Sequence, residues 1–218
     1  MAFQTAKGNR RGKLNCKIKM IIRTLKRALI LASMLVGIAG ANEIYMEQSG
    51  DSSTIAITQD GASNIIGTQL SPALIGGGSN TVTIDQIGAG NELYFTVNGA
   101  STSMVVNVTG SNNISDITCG SGASASCSGS IIWQTITGDG NQVTQLLSSG
   151  ANHESKIAVT GDTNTVTHTS TNSGAVSMQY TIAGDLNNIS VTTSGTTAKT
   201  LNATTTGNSN TVTIVQTN

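Results

Sequence analysis

The sequence predicts an all-β fold, a β-solenoid of about seven and a half two-stranded coils built around a thin core. Three observations predict it. From Asn42 onward, apolar and polar residues alternate in short runs, most runs are followed by Gly-x-x-Asn or a variant of it, and the pattern returns every 22–23 residues or so. The chain is rich in small polar residues and only 3% aromatic, which is too little for a conventional globular core. Because disordered chains lack such a period, the repeat favours a regular stack of strands over disorder.

Residues 1–41 differ chemically from the rest and predict a cleaved signal peptide. Nine of the eleven Lys and Arg lie in the first 27 residues, and all eleven Asp and Glu follow Asn42. An apolar run over 28–38 and the triplet Ala39-Gly40-Ala41 come next, which is the order of a secretory signal cleaved between Ala41 and Asn42. The apolar run is too short for a permanent membrane helix. Met20 would start a signal of more usual length.

The mature chain, residues 42–218, is acidic. It keeps only Lys156 and Lys199 against eleven acids, a formal charge of −9. Nucleic acids and anionic membranes are bound by clustered Lys and Arg, so the composition argues against both as partners. We expect a secreted protein that is extracellular or at the cell surface, with no membrane association after signal removal.

The residues that open the strands form two interleaved series. Series A opens at Asn42, Asn64, Asn91, Asn113, Asn141, Asn164, Asn187 and Asn210, and series B opens at Ser53, Asn80, Thr102, Ser130, His153, Val176 and Lys199. Each step from a B strand to the next A strand is eleven residues, whereas the step from A to B varies. The sequence therefore predicts one fixed corner and one permissive corner. We expect the permissive corner to hold both large insertions, Leu70–Ser79 and Cys119–Gly129.

The fixed corner carries a glycine three residues before each later series-A Asn. These are Gly61, Gly88, Gly110, Gly138, Gly161, Gly184 and Gly207. Glycine at one fixed place in a turn indicates a backbone conformation that other residues adopt only with strain. We expect the eight series-A Asn side chains to stack as a hydrogen-bonded ladder along this corner. Inward-facing Gln59 and Gln86 fall at the same site of adjacent coils and predict a second amide pair.

Two segments carry the motif of a known family. Ser53-x-Ile-x-Ile-x-Gln59-x-Gly61-x-x-Asn64 and Asn80-x-Val-x-Ile-x-Gln86-x-Gly88-x-x-Asn91 resemble the curlin repeat of bacterial curli subunits. The resemblance is strong over 42–99 and 199–218 and looser between. It implies an exported subunit of extracellular amyloid fibres that support biofilm and surface adhesion, with a nucleator subunit and an outer-membrane secretion channel as partners. In later series-B strands the inward Gln of the motif is replaced by Val108, Ile136, Val159, Ile182 and Thr205.

The two end strands suggest how copies would join. Asn42–Gln48 and Asn210–Gln216 share the pattern Asn-x-Φ-x-Φ-x-Gln, where Φ is apolar, and no amphipathic capping helix adjoins either. Because uncapped strand edges template further pairing, we expect head-to-tail stacking of this chain with itself. Both end strands belong to series A, so each junction needs a half-coil rotation or an exchanged strand. The alternative is a capped monomeric solenoid.

A few residues suggest local sites. Asp139, Asp162 and Asp185 share the second position of the fixed corner, where Asp is a favourable turn residue. The alternative is an acidic column whose self-repulsion slows assembly until acid or Ca²⁺ neutralises it. Cys119 and Cys127 flank one insertion, and in an exported protein they predict a disulfide rather than a zinc site.

No catalytic constellation is visible in the sequence. His153 and His168 are the only imidazoles, and no nucleophile or carboxylate pair accompanies them, so we expect no enzyme and no cofactor. Two other function classes stay open. Outward Thr165/Thr167 and Thr211/Thr213, with Asn188/Ser190 between, resemble the Thr array of ice-binding proteins. An adhesin or viral fibre would instead use its inserted corner loops to contact a receptor or glycan.

Overall fold

The computed structural model describes residues 17–22, 29–32, 40–120, 127–146, 153–171, 175–195 and 199–217. Every regular element in these residues is a β-strand. The described residues contain no helix that is long and apolar enough to cross a membrane. The strands are β1 (Lys17–Ile22), β2 (Leu29–Ala32), β3 (Glu43–Ser49), β4 (Thr54–Ala62), β5 (Ile65–Ile66), β6 (Ala73–Gly76), β7 (Thr81–Ala89), β8 (Glu92–Tyr94), β9 (Thr96–Asn98), β10 (Ser103–Val105), β11 (Val108–Thr109), β12 (Ile114–Asp116), β13 (Ile136–Thr137), β14 (Gln142–Leu146), β15 (His153–Glu154), β16 (Val159–Thr160), β17 (Thr165–Thr171), β18 (Val176–Ala183), β19 (Asn188–Ser194), β20 (Lys199–Thr206) and β21 (Thr211–Thr217).

The strands stack as two parallel sheets, and the chain crosses from one sheet to the other at every corner. Series-A strands form one sheet, in the order β21-β19-β17-β14-β12-β8-β5-β3-β6-β9, and series-B strands form the other. The register advances by one coil at a time, so that Thr165 pairs with Asn188 and Asn188 pairs with Thr211. The predicted β-solenoid, with a period near 23 residues, is confirmed. The sheet of series-A strands is called the A sheet, and the sheet of series-B strands is called the B sheet. Coil 1 contains β3 and β4, and later coils are numbered along the chain.

Alternate residues point into a single core that runs between the sheets. In β18, for example, Met178, Tyr180 and Ile182 are buried while the residues between them are exposed. The buried apolar cluster extends without a break from Ile44 to Val191. The residues that replace the inward Gln of the motif lie in register above Gln86. The column runs Gln86, Val108, Ile136, Val159, Ile182 and Thr205.

Two strands lie within the segment that the sequence predicts to be removed. β1 pairs in parallel with β3, and β2 pairs in parallel with β4, so they extend the stack below coil 1. Cleavage between Ala41 and Asn42 stays a prediction. If it occurs, the edges of β3 and β4 lose these partners and become available to other strands.

The first insertion lies in a strand and not at the corner, so its predicted position is wrong. Both β5 and β6 pair with β3: Ile66 is opposite Ile44, and Ala73 is opposite Met46. Residues 67–72 leave the middle of this strand as a loop, which the Thr68 backbone N–H closes by donating to the Ser71 carbonyl (2.8 Å). The loop is tolerated because the chain returns in register, which keeps the inward-outward alternation of the pleat. Residues 73–79 then repeat the ordinary strand and corner.

The second insertion does leave near the corner. It departs after Gly120 and returns at Cys127, and its residues 121–126 lie outside the described part of the chain. The returning chain follows the corner of the coil below, because Gly129 N–H donates to the Ala100 carbonyl (3.0 Å).

The corner backbone predicts a stabilising substitution at Leu186. Leu186 is 59% exposed and has φ +58°, whereas Gly90 and Gly140 occupy the same corner position in other coils. A left-handed conformation costs a residue with Cβ about 1–2 kcal/mol, and Asn tolerates it best after Gly. We expect Leu186→Asn to raise the free energy of unfolding by about 0.5–1 kcal/mol, as measured by urea denaturation of the monomer.

The reciprocal variant is the control for this prediction. Asn112 holds the same position with φ +56°, so Asn112→Leu should lower stability by a similar amount. Equal stability of the two variants would contradict the assignment of strain to this corner position.

Candidate assembly site

The fixed corner needs glycine for two independent reasons. The seven predicted glycines have φ between +108° and +123°, which disfavours any residue with a Cβ. The coils also approach closely there: a Cβ on Gly61 would lie 1.9 Å from the Gly88 carbonyl oxygen, and one on Gly88 equally close to that of Gly110. A side chain at this corner would therefore force neighbouring coils apart.

The Asn ladder is present and runs along the corner. From Asn64 to Asn187, each Asn Oδ1 accepts from the Nδ2 of the Asn in the following coil at 2.9–3.0 Å. The ladder runs through Asn64, Asn91, Asn113, Asn141, Asn164, Asn187 and Asn210. The same Oδ1 also accepts from the following Asn's backbone N–H, at 2.9–3.1 Å. At the first step, Asn42 Oδ1 accepts the Asn64 backbone N–H at 3.0 Å.

From Asn64 to Asn141, the second hydrogen of each ladder amide ties the column to a corner glycine. Asn91 Nδ2 donates to the Gly110 carbonyl (2.8 Å), and Asn141 Nδ2 donates to the Gly161 carbonyl (2.8 Å). A buried Asn with two donors and a doubly accepting oxygen is fully satisfied. Ser, Thr or Asp cannot supply this combination at the same length, which explains why every series-A strand opens with Asn.

The acidic column has a structural role at the same corner. Asp162 Oδ1 accepts the Asp139 backbone N–H, and Asp185 Oδ1 accepts the Asp162 backbone N–H, both at 2.8 Å. In the next coil Asn208 does the same for Asp185 (2.9 Å), so the bond does not require a charge. Among the described residues no three His, Cys, Asp or Glu side chains gather as a metal site would need. These hydrogen bonds support the turn interpretation, and the Ca²⁺-responsive column stays an alternative prediction.

The opposite corner repeats the arc in the early coils, which the sequence analysis missed. Gly50 and Gly77 have φ +120° and +89°, and Thr102 N–H donates to Asn80 Oδ1 (2.9 Å) as in the ladder. The signal was Gly-x-Ser followed by a polar residue at 50–53, 77–80 and 99–102. The pattern is not obvious in the sequence because the residues that open the series-B strands vary.

Cys119 and Cys127 form a disulfide at this corner, with Cα atoms 5.3 Å apart and both residues buried. Thr102 Oγ1 donates to the Cys127 carbonyl (2.8 Å), so the bridge is also joined to the corner of the coil below. The covalent link holds the two ends of the second insertion together.

Amides also pair inside the core. Gln59 Nε2 donates to Gln86 Oε1 (2.7 Å), as the sequence predicts. A second group was missed: Gln134 Nε2 donates to Gln145 Oε1 (3.0 Å), and Gln134 Oε1 accepts from Ser115 Oγ. This group joins the B sheet to the A sheet across the core.

His168 lies in the core beside Ser155 and Tyr180. This side chain is buried, with Nδ1 3.4 Å from Ser155 Oγ and its ring centroid 5.6 Å from that of Tyr180. Burial raises the pKa of the Tyr180 phenol, which keeps it neutral. The side chain of His153 lies outside the described residues.

The last coil differs from the others because its core side is open. Leu201, Ala203, Val212 and Ile214 point inward, yet each is only partly buried. In the described residues β20 pairs only with β18, and β21 only with β19. In the described part of the chain, one face of this coil therefore presents apolar side chains and backbone groups that pair with no described strand.

The ladder predicts a large penalty for losing one member. Asn141→Ala removes the acceptor of two hydrogen bonds from Asn164 and leaves buried polar groups of both neighbouring Asn residues without a partner. Each unsatisfied buried group costs about 1–3 kcal/mol of stability. We expect a loss of about 2–4 kcal/mol in unfolding free energy, measured by urea denaturation. The control is Gln142→Ala, an exposed neighbour, which should stay within about 0.5 kcal/mol of the wild type. Equal losses would show that the ladder contributes no special stability.

Comparison of the chain with protein-family models, with curated protein sequences and with solved structures gave no significant match.

Proposed function

We propose that the chain from Asn42 onward is a secreted structural subunit that stacks end to end into extracellular, curli-like cross-β fibres, for a biofilm matrix or surface adhesion. The observation that carries the proposal is the open face of the last coil. Ile189 and Val191 in β19 are almost fully buried, while their register partners Val212 and Ile214 in β21 are only partly buried. A further strand on β21 would bury them in the same way.

Hydrogen bonding at this end also favours a further strand. Asn210 Oδ1, the last acceptor of the ladder, accepts from no described residue, and Gln216 Oε1 is buried without a described donor. An unsatisfied buried acceptor such as Gln216 Oε1 costs free energy that a stacked strand would recover. Each added coil would advance the fibre by about 4.8 Å, the spacing of hydrogen-bonded strands.

A half-coil rotation gives the junction its best chemical match. The A sheet has eight layers from β3 to β21, and the B sheet has seven from β4 to β20, so the B sheet ends one layer lower. The next copy fills this step only when its A sheet stacks on the B sheet of the first copy and its B sheet stacks on the A sheet. Ile55 and Ile57 of β4 then lie over Val212 and Ile214 of β21. Gln59 lies over Gln216, and Gln59 Oε1 is itself buried without a described donor. The Gln59–Gln86 amide pair would thereby extend across the junction.

A second function is favoured by one specific observation. The outward positions of β17, β19 and β21 align as Thr167, Ser190 and Thr213, with Thr165, Asn188 and Thr211 beside them. Ordered hydroxyl rows of this kind would suit a monomeric ice-binding protein. Measurable thermal hysteresis by the monomer, together with no fibre formation, would favour it over the fibre. An adhesin acting through its loops would show neither.

The direct test is electron microscopy and fibre diffraction of the purified mature chain. We expect unbranched fibres, a rise in thioflavin fluorescence with time, and a meridional reflection at ~4.7 Å. Persistent monomers under the same conditions would overturn the proposal.

The open face predicts a variant that blocks elongation. Ile214→Lys places a charge where a stacked strand would exclude water, while in the monomer the partly exposed position lets the ammonium reach solvent. We expect the critical concentration for fibre growth, measured by thioflavin fluorescence and pelleting, to rise at least about tenfold.

The matched control is Thr213→Lys. It adds the same charge one residue away, on the exposed outer face of the same strand, and should polymerise almost as the wild type does. If both variants polymerise normally, growth does not proceed through β21.

A further inference from the structure

One segment of the B sheet has an unusual backbone. Trp133, Gln134 and Thr135 follow one another with φ of +46°, +72° and +93°, and the B strand of coil 4 is interrupted there. Three successive non-glycine residues in this region are strained, and such strain persists only where the surroundings hold it. The buried Gln134 amide, bonded to Ser115 and Gln145, holds the segment from inside the core.

The strained segment presents the only tryptophan of the chain to solvent. Trp133 is 42% exposed at the middle of the outer B face, and Ile131 beside it is also exposed. Backbone bonds from Ser155 to Ile131 and from Val159 to Thr135 place Lys156 next to Trp133 in the following coil. Lys199 is buried, so among the described residues from 40 onward Lys156 is the one exposed cation.

The outer A face carries a complementary pair. Tyr94 of coil 3 is directly opposite Asp116 of coil 4 in the register, and both are partly exposed. Glu92 accepts a hydrogen bond from the Tyr94 hydroxyl, which fixes the ring on the face. Burial raises the pKa of Asp116, and no described residue donates a hydrogen bond to its carboxylate. Asp116 is therefore partly desolvated, and no described cation pairs with it.

On each face an aromatic ring is followed, one coil further along the axis, by a charged residue. Lys156 follows Trp133 on the B face, and Asp116, of opposite charge, follows Tyr94 on the A face. We propose that the B face around Trp133 and Lys156 binds the A face around Tyr94 and Asp116 of a second copy, with parallel axes and a one-coil offset. Trp133 then packs on Tyr94 while Lys156 pairs with Asp116. An antiparallel arrangement would match only one of the two pairs at a time.

The contact joins the B face of one copy to the A face of the other. The first copy keeps a free A face and the second a free B face, so further copies can add on both sides. Each contact is small and works against the negative charge of both copies. In a fibre, however, many contacts repeat along the axis and act together. This lateral contact does not require end-to-end polymerisation, and it would turn single fibres into flat bundles.

The test follows Trp133 in the full mature chain. We expect lateral association, seen by sedimentation and by electron microscopy, to shift the Trp133 emission to shorter wavelength and to lower acrylamide quenching about threefold, because ring burial excludes the quencher. Lys156→Glu should raise the concentration for half-maximal association about tenfold. The double variant Lys156→Glu/Asp116→Lys should restore it with the charges exchanged.

The matched control is Lys156→Glu/Asp60→Lys. It has the same net charge, but its new lysine lies on the B face of coil 1 and meets no partner, so association should stay weak. Equal association of the two double variants, or unchanged quenching of Trp133 in bundles, would overturn the proposal. So would a wild type that forms only single fibres or no assembly, whereas lateral oligomers without fibres would overturn only the end-to-end function.

Discussion

The stack depends on one corner where every coil places a glycine against the next coil's backbone and an asparagine against the next asparagine. The glycine lets the carbonyl groups approach, and the ladder amides then bond to those carbonyls and to one another. The remainder of each coil tolerates small and polar residues, because backbone ladders and this corner, rather than large side chains, hold the coils in register. A chain with only 3% aromatic residues can therefore form an ordered core.

A solenoid held by axial bonds has two kinds of surface, and they lead to different contacts. The ends present unpaired strands and half-buried apolar residues such as Ile214, which suit a further coil of the same kind. The outer faces are already hydrogen-bonded along the axis and can add only side-chain contacts, as at Trp133 and Lys156. End stacking would set the length of an assembly, and face contacts would set its width.

Much of this architecture could be predicted because period and alternation are properties of local sequence. The coil register, the glycines, the Asn ladder and the Gln59–Gln86 pair all follow from counting residues. The loop at 67–72 could not be located, since a strand that leaves and re-enters in register looks like a longer corner in one dimension. The strained segment at Trp133 was missed because it keeps perfect alternation, and backbone dihedrals leave no trace in that pattern.

The most direct test of the account is residue-resolved amide hydrogen exchange at β21, on monomer and on assembled protein. In the monomer, β21 amides that do not face β19 should exchange quickly, while those of β19 are protected by strands on both sides. On assembly the account predicts that β21 becomes as protected as β19, because a strand of the next copy continues the stack. Rapid exchange at β21 in the assembled protein, or full protection already in the monomer, would contradict it.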